Sequence, residues 1–360
     1  MIIEIIPLDP LFFRDGRSFT AGEDTWASSL ILPYPSVIYG ALRTAYFSNH
    51  PEELKYANTE EDPTKELKIK NILYKSGSEV YYPIPLDCLK EKYSKEKDAF
   101  TMKLVDNEII SNLRTEKRLE KPDEGIFYER INDGLLNYLN FKNYIYNTEK
   151  SFIYSTIADF VLREPKIGIA RDKTTRSSKE GRLYRINMMR WQNTSEEKLG
   201  ILVDFEGIEI PEEGIIKLGG EGRAARYKKP EESEVKKINV PNIEEDIFKM
   251  YFATPTFFKN GWLASWIDIE SYEGYLPNTK VRVKLVAAAI GQFMNIGGFS
   301  IKGKNGKPYP KYMHRMLPPG SVYFLRILDG DKEELKNVHL SSVSDVRSNE
   351  GFGICYIGKI

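Results

Sequence analysis

Apolar residues along this chain recur mostly with a period of two, so strands dominate the expected structure. Ile2–Ile6 is apolar except for Glu4, and Pro7 and Pro10 end any regular pairing after it. Runs at 72–74 and 80–83 read as strands paired around Ser76-Gly77, and further strands are predicted at 199–205, 208–211, 214–218, 247–253, 281–290 and 322–328. Two stretches read as helices. Ser36 suits an N-cap, and Ile38, Ala41, Leu42, Ala45 and Tyr46 follow at helical spacing. A second helix is predicted over 151–162 behind Ser151. Residues 125–146, rich in Tyr, Asn and Leu, read as a mobile or partner-facing insertion, partly helical.

The order of these pieces repeats. A strand, a proline, Phe12-Phe13, a basic residue and a glycine turn open the chain; Ile247–Ala253, Pro255, Phe257-Phe258, Lys259 and Gly261 reopen it. Each half closes on a Glu-Gly loop with a tyrosine six residues after the Glu: Glu221 to Tyr227, and Glu350 to Tyr356. The acidic, Pro-punctuated stretch 231–246 lies between them. The expected architecture is therefore α+β. It consists of two ferredoxin-like (RRM-like, βαββαβ) domains, 1–240 with inserted loops and 241–360, and a basic hairpin or thumb projects from the first.

Charge changes the picture only through its distribution. The chain carries 52 basic and 52 acidic side chains among 360 residues, so a polyanion-binding surface has to come from segregation. Three places segregate it. Between Arg163 and Arg190 stand nine cations against three acids, around a Ser/Thr/Gly-rich centre that cannot bury itself. Arg171, Lys173, Arg176 and Arg182 are its candidate phosphate contacts. The stretch 217–229 sets Gly219, Gly220 and Gly222 beside Arg223 and Arg226, a bare backbone next to cations that suits a phosphate chain. Gly297, Gly298, Lys302 and Lys304 form a third basic, glycine-rich loop. Arg14 and Arg17 flank a predicted Asp15-Gly16 hairpin. Ser36 opens a helix whose free N–H groups suit a phosphate, and Arg43 lies about two turns further on, facing solvent or RNA.

Other chemistries fit poorly. Gly220, Gly222 and Ala225 spell the dinucleotide fingerprint G-x-G-x-x-A, but Pro230 cuts off the helix it requires. Residues 351–357 approximate an RRM signature, yet Glu350 and Ile354 replace a cation and a stacking aromatic. Cys88 and Cys355 make neither a disulfide framework nor a metal motif and fit a reducing cytoplasm. No apolar run reaches membrane-spanning length. No cofactor and no metal are expected. A metal-independent endoribonuclease needs a general acid and base. Of the three histidines, His50, His314 and His339, only His314 lies in basic surroundings.

Several blocks together resemble a known family. They are Ile6–Phe19, Pro35–Arg43, Gly168–Asp172 with Glu180–Tyr184, Leu218–Arg223 and Pro319–Tyr323. The chain resembles the third subunit of the Cmr complex, a RAMP-superfamily protein of type III-B CRISPR–Cas effectors, over most of its length and least at 49–70 and 90–150. The resemblance implies two ferredoxin-like domains and no catalytic role. It implies a grip on the 5′ handle of the guide RNA. It also implies contact with the large polymerase-like Cmr subunit and the backbone-forming Cmr subunit.

Overall fold

The computed structural model describes residues 1–14, 26–27, 30–109, 115–172, 174–192, 198–220, 222–300 and 309–360. The fold is a mixed α+β arrangement built mostly from antiparallel strands. Its largest sheet has eight strands, in the order Ser155–Thr156, Gly134–Asn137, Glu79–Pro83, Lys68–Ser76, Leu199–Glu206, Ile2–Pro7, Ala224–Lys228 and Glu213–Lys217. A five-stranded sheet runs Glu273–Tyr275, Arg282–Ala289, Val322–Asp329, Ile247–Phe252 and Cys355–Gly358. In both, the earliest strand is interior: Ile2–Pro7 lies between Leu199–Glu206 and Ala224–Lys228, with Lys68–Ser76 beyond Leu199–Glu206, and Ile247–Phe252 lies between Val322–Asp329 and Cys355–Gly358, with Arg282–Ala289 beyond Val322–Asp329.

Alternation assigns each face. Ile3 and Ile5 turn toward the helix Pro35–Asn49, which buries Ile38, Ala41, Leu42 and Ala45 against them. On the other face Glu4, 5% exposed, meets Lys75 at 3.1 Å, and Glu234 meets the same ammonium at 3.0 Å. That pairing accounts for the single polar residue in the opening strand. Burial works against the charge of Lys75, but its bonds to Glu234 and Glu4 outweigh it and leave its pKa raised.

The two sheets share a core. Leu73, Tyr82, Leu136 and Leu202 from the large sheet meet Tyr251, Val286, Phe324 and Tyr356 from the smaller one, with the helix Tyr138–Tyr146 between them. Phe141 of that helix stacks on Tyr82 at 4.1 Å and sits 4.8 Å from Tyr251 and 5.4 Å from Tyr356. The hydroxyls on these rings have partners: Tyr251 donates to the Pro83 carbonyl at 2.7 Å, and Asn71 donates to the Tyr356 oxygen at 2.8 Å. Buried aromatic hydroxyls need such partners.

Three sequence expectations change. The helix predicted over 151–162 is instead two short strands, Ser151–Ile153 and Ser155–Thr156, followed by the single turn Ile157–Asp159. Phe152 and Tyr154 are buried while Ser151 and Ile153 are exposed, a period of two that Ile and Thr favour. Ser36 is not the N-cap: the first helix begins at Pro35 behind Tyr34, with proline supplying the fixed φ of the first turn. Residues 208–211 form no strand, although Ile208 and Ile210 are buried. The predicted turn at Asp15-Gly16, with Arg17, lies outside the described residues.

Two measurements probe this core. Phe141→Ala removes the ring that both sheets contact and is expected to lower stability by roughly 3–5 kcal/mol in denaturant unfolding. His339 is 9% exposed; it accepts from the Ile357 amide at Nδ1 and contacts the Ile238 carbonyl through Nε2 at 2.8 Å, which fixes a neutral ring. Burial lowers its pKa. The unfolded state then binds the proton more readily, so this contribution is present above about pH 6.5 and is lost as pH falls below it. Melting temperature measured from pH 7.5 down to 5.5 is expected to fall, and to fall less steeply in His339→Gln.

Candidate nucleic-acid interface

The basic stretch at 163–190 forms a long two-stranded hairpin. Leu162–Arg171 pairs with Ser178–Arg190 from Leu162↔Arg190 out to Arg171↔Ser178, with a register shift between Ile169 and Arg171. Asp172 makes the turn: its carboxylate accepts from the amides of Thr174 and Thr175, and its own amide donates to the Ser177 carbonyl. Arg176 sits there with φ +57°, and the Arg171 guanidinium donates to its carbonyl at 3.1 Å. Arg171 and Arg176 are both exposed at this tip. Near the base, Arg190 is occupied by Glu164, with Nε–Oε2 at 2.7 Å. Arg182 lies in the returning strand Ser178–Arg190, and Lys173 is outside the described residues.

The hairpin base and the glycine loop meet on one short segment. Leu11 exchanges two backbone hydrogen bonds with Met189 (2.8 and 2.7 Å), and Phe13 packs edge-on to Trp191 at 6.3 Å. The Phe12 carbonyl accepts from the Gly220 amide at 2.8 Å. Gly219 has φ +81°, and a Cβ there would lie 2.7 Å from that carbonyl oxygen. Gly219 is thus required by close backbone approach to Phe12, and the Gly220 amide is already used. Gly222, with φ +67°, faces open space. Arg14, at the end of the same segment, is exposed. The structure therefore brings Arg14, the glycine loop and the hairpin base together.

The remaining candidates separate from them. Arg226 is exposed on Ala224–Lys228 and lines a polar groove of about 550 Å³ with Glu4, Lys75, Lys198, Lys228 and Glu234. Arg223 is partly buried at the start of that strand. Arg43 faces neither solvent nor an open groove. Its guanidinium bonds Thr64 (2.7 Å), Asn58 (3.1 Å) and Asp62 (2.5 Å), pinning the 58–64 turn to the helix. Asp62 keeps its pKa below the usual carboxylate range although burial opposes this, because Thr64, Asn58 and Arg43 together outweigh the burial. Ser36 lies partly buried in the first helical turn, and the neighbouring Tyr34 hydroxyl reaches the Asn295 carbonyl at 3.3 Å. That contact places the helix start beside Gly297 and Gly298. The Gly298 carbonyl accepts from the Lys311 amide at 2.9 Å, while Lys302 and Lys304 are outside the described residues.

One group of side chains escaped the sequence reading. Tyr312 is 90% exposed, Tyr309 and Met313 are about half exposed, and the Arg315 guanidinium lies 4.8 Å over the Phe293 ring. Exposed aromatics interleaved with cations suit base stacking. The alternation Tyr309, Lys311, Tyr312, Arg315 was the signal that could have found them.

Comparison with known proteins bears on this surface. Residues 3–360 match the family described as CRISPR-associated protein (Cas_Cmr3). Over 231 residues the chain is 27% identical to the CRISPR system CMR subunit Cmr3 of Saccharolobus solfataricus, which spans 62% of this chain and 62% of the relative. The fold is similar to that of a chain in a cryo-EM structure of the Type III-B Cmr-beta bound to cognate target RNA and AMPPnP, state 1. The TM-score is 0.52 at 20% identity, over 90% of this chain and 86% of that one. A second cryo-EM structure, of Cmr-beta bound to cognate target RNA, matches with TM-score 0.52 at 19% identity over the same shares of both chains.

The glycine geometry makes a testable distinction. Gly219→Ala meets both the left-handed φ and the Phe12 oxygen and is expected to lose roughly 1–3 kcal/mol. Gly222→Ala meets only the left-handed φ and is expected to lose about 1 kcal/mol. Thermal denaturation of the two variants compares them directly.

Proposed function

The chain belongs to the Cas_Cmr3 family of CRISPR-associated proteins, subunits of type III-B Cmr complexes, and from that premise we propose that it grips the 5′ handle of the guide RNA without cutting it. The observation that carries this reading is the hairpin: a chain of zero net charge concentrates exposed arginines at the tip of a two-stranded arm. The cluster of Arg14 and the glycine loop at the base of that arm supports a continuous phosphate path from base to tip. Tyr309 and Tyr312, on a separate part of the surface, would stack bases. The large polymerase-like and backbone-forming Cmr subunits are the proposed protein neighbours. Ile167 and Ile169, exposed on the hairpin at 59% and 50%, suit such a protein contact.

The fold reading goes with it. The same order of strands in both sheets supports two ferredoxin-like domains, 1–240 and 241–360. In the first, Pro35–Asn49 supplies the first crossover helix, whereas the strand Glu213–Lys217 stands before the last strand where a second helix would be. A non-catalytic role is supported by how the histidines are used. His339 is tied to two backbone groups, His50 stacks on Tyr46 at 4.4 Å, and His314 packs on Phe257 at 4.7 Å.

Salt dependence tests the proposal. Each phosphate neutralised on a single strand contributes about 0.7 to the slope of log affinity against log salt. Replacing Arg171, Lys173 and Arg176 with Ala is therefore expected to lower that slope by roughly 2 and to leave melting temperature unchanged. Handle and scrambled RNA should lose affinity equally. An unchanged slope with failed assembly of the complex would instead assign the hairpin to a protein neighbour. A loss confined to the handle sequence would assign it to base readout.

A further inference from the structure

A separate cavity, of about 700 Å³, opens between the two halves of the molecule, and its walls include Asp87, Phe100, Leu104, Lys150, Lys249 and Phe324. That volume is in the range of small-molecule pockets. It shares no residue with the hairpin, the glycine loop or the Tyr312 surface.

Lys249 is the unusual member. In Ile247–Phe252 the side chains alternate: Phe248, Met250 and Phe252 enter the outer core, while Lys249 and Tyr251 point toward the other half. An apolar residue is the ordinary occupant of such a position, yet here stands a lysine only 2% exposed. The fold makes room for it. Gly358 is its direct cross-strand partner, and a Cβ there would come within 3.2 Å of Lys249 Cγ and 3.1 Å of Cε. The ammonium lies 3.5 Å from the centre of the Tyr144 ring. Among the described residues it has no hydrogen-bond acceptor and no ion-pair partner.

Of the other charges at the cavity, Asp87, Lys103, Asp123 and Lys150 are engaged, whereas the Glu245 carboxylate has no ion-pair partner among the described residues. Both oxygens of Asp87, which is fully buried, accept the Tyr144 hydroxyl at 2.9 and 3.1 Å. Lys150 donates to Asn147 at 2.6 Å, and Lys103 lies 3.8 Å from Asp123. Glu245 also lines the cavity. Burial brings the Lys249 pKa down to about 8, with Asp87 opposing the shift. At neutral pH the amine is therefore mostly a cation, bordering the cavity and without an acceptor among the described residues. Such a charge is costly unless an anion joins it.

We propose that this cavity binds a small organic anion, whose carboxylate or phosphate head accepts hydrogen bonds from Lys249 and whose apolar body rests against Phe100, Leu104 and Phe324. The Tyr144 ring face under the ammonium contributes cation–π attraction but leaves its N–H groups free to donate.

Isothermal titration of the full chain with 2-naphthoate, 2-naphthyl phosphate and the uncharged 2-naphthylmethanol tests this. At least one of the two anions is expected to bind at a single site, at least tenfold tighter than the alcohol, and the preferred head group identifies the class. Lys249→Met is expected to weaken that anion about tenfold and leave the alcohol unchanged. Equal binding of anions and alcohol, unaltered anion affinity in Lys249→Met, or no binding of either anion at millimolar concentration would each overturn the proposal. Should Lys249→Met not fold, lysine acylation of the wild-type chain read by peptide mass spectrometry decides. The bound anion is expected to protect Lys249, and labelling unaffected by the anion refutes the site.

Discussion

The packing of Phe141 between Tyr82, Tyr251 and Tyr356 is the contact on which the arrangement of the molecule depends. Each sheet has an outer face covered by its own half: the helix Pro35–Asn49 on one, the turns and short helical segments of 258–343 on the other. Only the inner faces need each other. Two of the rings filling the space between them make bonds that cross from one half to the other: Tyr251 to Pro83, and Asn71 to Tyr356. Apolar area supplies the attraction, and these directional bonds fix the register in which the halves meet.

Polar groups inside this structure follow two rules. Where Glu4, Lys75 and Glu234 meet, opposite charges satisfy one another and burial is tolerated. Lys249 is enclosed in the same manner but has no ion-pair partner among the described residues, and it borders a cavity. The contrast separates a structural ion cluster from a site awaiting a ligand, although both appear in sequence as one charged residue inside an apolar run.

Much of the fold was legible because apolar strands advertise themselves. Ile2–Ile6, 199–205, 281–290 and 322–328 all became strands. The misreadings came from local signals with two meanings. Ser151 looked like a helix cap, yet the Phe152/Tyr154 alternation prevailed because the sheet buried those rings. Arg43 looked like a surface charge, since nothing in the sequence announces that Asn58, Asp62 and Thr64 fold back onto it. The glycines at 219 and 220 signalled close backbone approach correctly, but the partner they approach is Phe12, a neighbour more than 200 positions earlier in the chain. Long-range partners of this kind leave no periodic trace.

The segment 11–14 has a mechanical consequence. It is stitched to the hairpin base through Leu11 and to the glycine loop through Phe12, with Phe13 wedged against Trp191. Arm and loop therefore share one anchor four residues long. A load placed on the arm would be carried to the loop, and through Ala224–Lys228 to the opening strand inside the large sheet. A tug at one extremity is felt as strain at the middle of the protein.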